Sequence, residues 1–159
     1  MAIERARMAR GALAGGIAAA VWALQQPLDK RVLGCRYDDV ELLGRLARPR
    51  DEGRSWYLAG LAMHVGNGAM FGAVYAGLLA PYVLAPLPAP LRGPLVAEAE
   101  NFGLWPMGRL SDRFHPARDR LPRLTGSRRA LAQATWRHLL FGIALGELER
   151  RWNHAGRGD

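Results

Sequence analysis

Residues 57–84 read YLAGLAMHVGNGAMFGAVYAGLLAPYVL, and they open a longer stretch, from Arg54 to Arg92, with no Asp, Glu, Lys or Arg between those two arginines. Only His64 and Asn67 interrupt the quoted run as strongly polar side chains. A helix rises about 1.5 Å per residue and a bilayer core is about 30 Å thick, so roughly 20 apolar residues suffice to cross it. The run exceeds that length and predicts a membrane span.

Working outward, three more helices are expected. The first, residues 3–28, is polar for two turns and then apolar, with Pro27 stopping or kinking it. Its basic-then-apolar profile resembles a signal peptide, but it runs into Gln25, Gln26 and Pro27 without a small-x-small cleavage site, so an uncleaved span is expected. The third, residues 94–110, starts on a proline and carries Glu98, Glu100, Asn101 and Pro106, which makes it a short or partial span. The fourth, residues 129–151, contains Arg137. An Arg at mid-helix in a bilayer costs roughly 2.5–3.5 kcal/mol, so this helix must lean on its neighbours or let Arg137 snorkel.

The 159 residues therefore predict an all-α fold: one integral membrane domain, a four-helix transmembrane bundle of three or four spans. In the first loop, Asp38 and Glu41 have capping-box spacing, and Val40, Leu43 and Leu46 share a face ahead of Pro49. That pattern predicts a short amphipathic helix at the interface. The five tryptophans, Trp22, Trp56, Trp105, Trp136 and Trp152, are expected as interfacial anchors near span ends.

Glycine placement predicts close helix packing. Gly11 and Gly15, Gly68 and Gly72, and Gly142 and Gly146 are small-xxx-small pairs, each exposing backbone on one helix face. Counting Lys and Arg, the two long loops hold seven each and the other side holds seven in all, which favours both termini outside.

Composition narrows the function classes. The chain is half hydrophobic, yet its mean hydropathy is only -0.09, because charge is concentrated in residues 30–54 and 109–129. The formal charge of +8 comes from basic residues interleaved with Asp and Glu, without the aromatic interleaving of a nucleic-acid surface. Nucleic acid is not expected as a partner; the lipid bilayer and its anionic headgroups are, with a homo-oligomer or a membrane-protein partner as a further possibility. The lone Cys35 has no disulfide partner and no metal-ligand spacing.

Polar residues at membrane depth form the candidate site: His64, Asn67, Glu98, Glu100, Asn101 and His138, from three helices. Glu98 and Glu100 lie about 200° apart around a helix, so at most one can face a histidine. Three readings follow. A polar clasp, with a Glu accepting from a His or from Arg137, would hold the helices in register. A metal or haem site would use His64 and His138 as ligands with Glu98 as a third, although no Glu-x-x-His motif is present. A proton or solute path would use Glu98 or Glu100. Asp112 and His115 have ligand-like spacing but precede Pro116, which predicts a turn, and neither Gly66/Gly68 nor Ser55, Ser111 and Ser127 sit in a phosphate-binding or nucleophile context.

The segments GLAMHVGNGAMFGAVYAGLL, GALAGGIAAAVW and WRHLLFGIALGELERR together resemble small uncharacterised inner-membrane proteins of actinomycete-type bacteria. The resemblance implies a multi-pass protein of the bacterial cytoplasmic membrane and carries no activity with it. The expectation from sequence is thus a structural or accessory membrane protein with a buried His/Glu/Asn cluster, no catalytic residues and no resident cofactor. A small transporter or proton conductor, and a metal- or haem-binding membrane protein, are the alternatives.

Overall fold

In the computed structural model the run at residues 57–84 is not one α-helix. The structure describes the backbone of residues 2–154, and six α-helices lie within it: α1 (Ala2–Leu33), α2 (Asp39–Ala47), α3 (Ser55–Val74), α4 (Ala89–Leu104), α5 (Gly108–Phe114) and α6 (Arg128–His154). Residues 155–159, part of the tail counted for orientation, lie outside the described residues. At Tyr75 the regular i→i−4 ladder of α3 gives way to a π-helical segment, Tyr75–Val83, which contains Pro81. The Leu84 N–H then reaches five residues back to the Leu79 carbonyl at 2.7 Å. Arg92 covers the freed carbonyls beyond, donating to Ala85 at 2.8 Å and to Leu87 at 2.9 Å.

The all-helical expectation and the transmembrane one part company here. Among the described residues no helix is long and apolar enough to cross a membrane. The apolar run is divided between α3 and the π-helical segment, and α3 dilutes its apolar residues with His64, Asn67 and glycines. The predicted four-helix transmembrane bundle is therefore corrected to a helical domain without a span. The inner-membrane localisation, the multi-pass topology and the orientation count fall with it, and lipid partnership loses the spans it rested on.

What organises α3 instead is an inward face. Gly60, His64, Gly68 and Gly72 recur every four residues and are all buried. A side chain on Gly68 would place its Cβ 2.5 Å from Ala19 Cβ and 2.7 Å from the Gly15 carbonyl oxygen. Gly11 and Gly72 face one another in the same way, as do Gly93 of α4 and Gly142 of α6, where a Cβ on Gly142 would lie 2.6 Å from the Gly93 oxygen. The helices touch backbone to backbone along both seams. A third glycine seam, Gly44 against Trp56 and Gly60 against Val40, docks α2 onto α3. So α2, capped as expected by Asp38 accepting from Glu41 N–H at 2.9 Å, packs on α3.

Helix α1 passes through Pro27 to Leu33 because its inner face continues unbroken. Ala18, Trp22, Gln26 and Asp29 are buried along one stripe, whereas Pro27 is exposed on the other side. Gly34, with φ of 58°, ends the helix in the left-handed conformation that glycine adopts at low cost. The helices then pack in a row: α1 against α3 and α6, and α6 against α4. Large apolar side chains also lie on the outside of α1, with Leu24 80% exposed.

Candidate binding site

The curled row brings α3 and α4 to face one another without extensive packing between them, and a cavity of about 390 Å³ occupies the gap. Trp22 of α1 and Phe141 of α6 form its floor. His64 and Phe71 of α3 make one wall, Glu100 and Asn101 of α4 the other. The α2 side chains Asp39, Leu42 and Leu43 also line it, as do Trp105, Met107, Gly108 and Ser111.

Five of the six residues expected as a polar cluster, His64, Asn67, Glu100, Asn101 and His138, line this cavity, and Glu98 does not. Glu98 accepts from Asn101 Nδ2 at 3.0 Å, and the same amide donates to Thr135 Oγ1 of α6 at 3.2 Å. The 200° between the two glutamates divides their work, with Glu98 in the helix seam and Glu100 at the cavity.

Trp22 separates the two histidines that the metal reading paired. Its ring stands edge-on to both, 5.1 Å from His64 and 4.6 Å from His138 between centroids. Among the described residues no group of three or more His, Cys, Asp or Glu is placed to hold a metal ion. Trp22 is also no interfacial anchor: it is 7% exposed and lies deep in α1.

The histidines differ in their bonding. His138 Nδ1 lies 2.8 Å from the Ala134 carbonyl, which can only accept, so Nδ1 carries a hydrogen. His64 is buried, and its Nε2 has no hydrogen-bond partner. Burial pushes the His64 pKa down and outweighs the nearby charges of Asp39 and Asp38 and a backbone bond at Ala19, so the neutral ring is favoured. Burial pushes the Glu100 carboxyl up, opposed by the charge of His138.

Behind the cavity end lies the residue expected to snorkel. Arg137 is fully buried and makes a two-pronged pair with Asp29, at 2.6 and 2.7 Å, together with a 2.7 Å bond to Asp39 and a 3.0 Å bond to the Tyr37 carbonyl. Gln133 and Gln25 each donate to Asp29 at 2.6 Å. Burial alone would raise the Asp29 carboxyl, but these donors and the guanidinium charge hold it below the usual range. Trp22 Nε1 donates to Asp39 at 3.2 Å, so the ion network fixes the ring on the cavity floor. This clasp uses aspartates, not the glutamate expected from sequence. Asp29, Asp39, Tyr37 and Trp22 were not among the candidate site residues; the stripe Ala18, Trp22, Gln26, Asp29 is the pattern that marks the inner face of α1.

The loop residues Asp112 and His115 are turn-builders. Asp112 accepts from Leu124 and Thr125 N–H at 2.9 and 2.8 Å, and His115 Nδ1 accepts from Ala117 N–H at 3.1 Å while Nε2 donates to the Leu42 carbonyl at 3.0 Å. Asp112 ties α5 to the segment before α6, and His115 ties the chain after α5 to α2. Ser127 accepts from Ala130 N–H at 3.2 Å at the start of α6.

No protein family, curated protein or solved structure matches this chain, so function is read from the cavity itself.

Proposed function

We propose that this protein binds a small molecule in the cleft between α3 and α4. His64 carries the reading: a side chain only 8% exposed on the cavity wall, with Nε2 unbonded. Leaving a buried polar atom unsatisfied costs about 1–3 kcal/mol, which a phenylalanine at the same place would avoid. That nitrogen is itself covered, and a turn of the imidazole toward a ligand in the cavity would give it a partner and the expense a purpose. The cavity volume, about 390 Å³, falls in the range of roughly 300–1,000 Å³ for small-molecule sites. Its make-up is also that of such sites, with aromatic walls and a few converging polar groups.

A purely structural role accounts for the Glu98–Asn101–Thr135 seam and the Arg137 clasp, but not for the space those elements hold open. The transport reading depended on spans and goes with them.

Calorimetric titration with 2-phenylethanol, a compact aromatic alcohol, tests the proposal. Saturable binding of one equivalent is expected in the wild type and loss of it in Ser111→Phe, which sets a ring into the cavity lining. No uptake by the wild type, or uptake unchanged in Ser111→Phe, would contradict the assignment.

A further inference from the structure

We propose that the ligand is a small organic cation, an ammonium group on a compact apolar body, with Glu100 as its counter-charge and the aromatic floor and walls as its cage. This rests on the binding role above and adds the sign of the ligand's charge.

The first observation is which ionisable groups face the space. The chain carries 22 Lys and Arg against 14 Asp and Glu, yet among the described residues no Lys or Arg lines the cavity. Asp39, Glu100, Tyr37, His64 and His138 do. In a chain of formal charge +8 this is a reversal of sign at one place. An anionic ligand would meet two carboxylates there and no Lys or Arg among the described residues.

The second is that the two carboxylates are not equivalent. Asp39 is already matched: Oδ2 accepts from Arg137 at 2.7 Å and from Trp22 at 3.2 Å, and Oδ1 accepts from the Tyr37 hydroxyl at 2.5 Å. Glu100 makes no ion pair or hydrogen bond among the described residues. Burial works against its charge, and a cation lodged beside it would remove that penalty.

The third is the aromatic surface. Trp22, Phe71 and Phe141 form a chain of edge-to-face contacts, with Phe141 6.1 Å from Trp22 and 5.5 Å from Phe71, and Trp105 also lines the cavity. Aromatic faces attract cations, tryptophan most strongly, and more so where water is excluded.

A matched series separates charge from shape: 2-phenylethylamine, 2-phenylethanol and phenylacetate, titrated calorimetrically into the full chain near neutral pH. The amine is expected to bind about tenfold tighter than the alcohol, and phenylacetate weakest of the three. In Glu100→Gln the amine's advantage over the alcohol should vanish while the alcohol still binds. If the alcohol equals the amine, or phenylacetate binds best, the charge inference is overturned and the binding role stands. If none of the three binds, the binding role itself fails. If Glu100→Gln keeps the preference for the amine, Glu100 is not the counter-charge. The wild-type series stands on its own should that variant fold poorly, as judged by its circular dichroism.

Discussion

Two glycines two residues apart on α3 should respond to alanine in opposite directions. Gly66 faces open space, with nothing within 4 Å of an added Cβ, whereas Gly68 would drive its Cβ to 2.5 Å from Ala19 Cβ and 2.7 Å from the Gly15 oxygen. Both substitutions gain the helix preference of alanine over glycine, about 0.8–1 kcal/mol in a helix interior. For Gly66→Ala that gain stands nearly alone. For Gly68→Ala, carbon atoms that pack comfortably at about 3.5–4.0 Å must be separated by roughly 1 Å more than they are, and a gap of that size forfeits a quarter to a half of the dispersion energy along the seam. Neither obstacle is a flexible chain end, since one is backbone and the other an alanine methyl. Overpacking of this kind costs about 1–3 kcal/mol or more, so after the helix gain Gly68→Ala loses up to about 2 kcal/mol where Gly66→Ala gains about 1. With a urea dependence of about 1–3 kcal/mol per molar, the two midpoints should differ by about 1 M or more, read by circular dichroism in equilibrium unfolding. Equal midpoints, or a stabilised Gly68→Ala, would refute the backbone contact between α1 and α3.

The buried clasp gives a second expectation. Arg137→Met strands Asp29 and Asp39 and should destabilise by about 3–5 kcal/mol at neutral pH, with Arg137→Lys milder and Arg137→Met/Asp29→Asn costing less than the sum of its parts. Because the folded Asp29 pKa is lowered, its contribution is fully present above the unfolded value near 3.9 and is lost as pH falls through the folded value; the deficit of Arg137→Met should therefore shrink on acidification below about pH 4, which unfolding curves across pH would show. His64→Phe should stabilise by about 1–2 kcal/mol by removing the unbonded Nε2 while keeping an aromatic ring against Trp22, and should abolish binding; a destabilised variant in thermal unfolding would mean that the nitrogen is satisfied. Leu24→Gln, at a side chain 80% exposed, should change stability by less than about 0.5 kcal/mol, and a larger loss would show that this face of α1 is covered.

Much of the helical layout was legible in the chain because it depends on local signals. Asp38 with Glu41 announced α2, and the proline-rich link preceded a helix that begins at Ala89, a few residues ahead of the expected 94. The environment of those helices was not legible. A run of Ala, Gly and Leu reads alike whether its glycine face meets another backbone or its apolar face meets lipid, and the break at Tyr75 depends on the π-helical packing around Pro81. Pro27 misled for a related reason: a proline on the outer side of α1 leaves the inner stripe intact, and the stripe delivers Asp29. His64, Asn67, Glu100, Asn101 and His138 stand out in the sequence as polar residues in apolar surroundings, and the fold sets all five along one cavity. The partner of Arg137 was not, because Asp29 lies 108 residues away and only the fold joins them. Trp22 was hidden as well, since its position between two histidine rings is a tertiary fact.

The most direct test of the cleft as a binding site is the nitrogen NMR spectrum of the histidine and tryptophan side chains during titration with 2-phenylethylamine. The account predicts that His64 Nε2 and Trp22 Nε1 shift together and saturate at one equivalent, while His115, held between Leu42 and Ala117, stays fixed. Resonances of His64 and Trp22 that do not move as the amine is added to excess would contradict it.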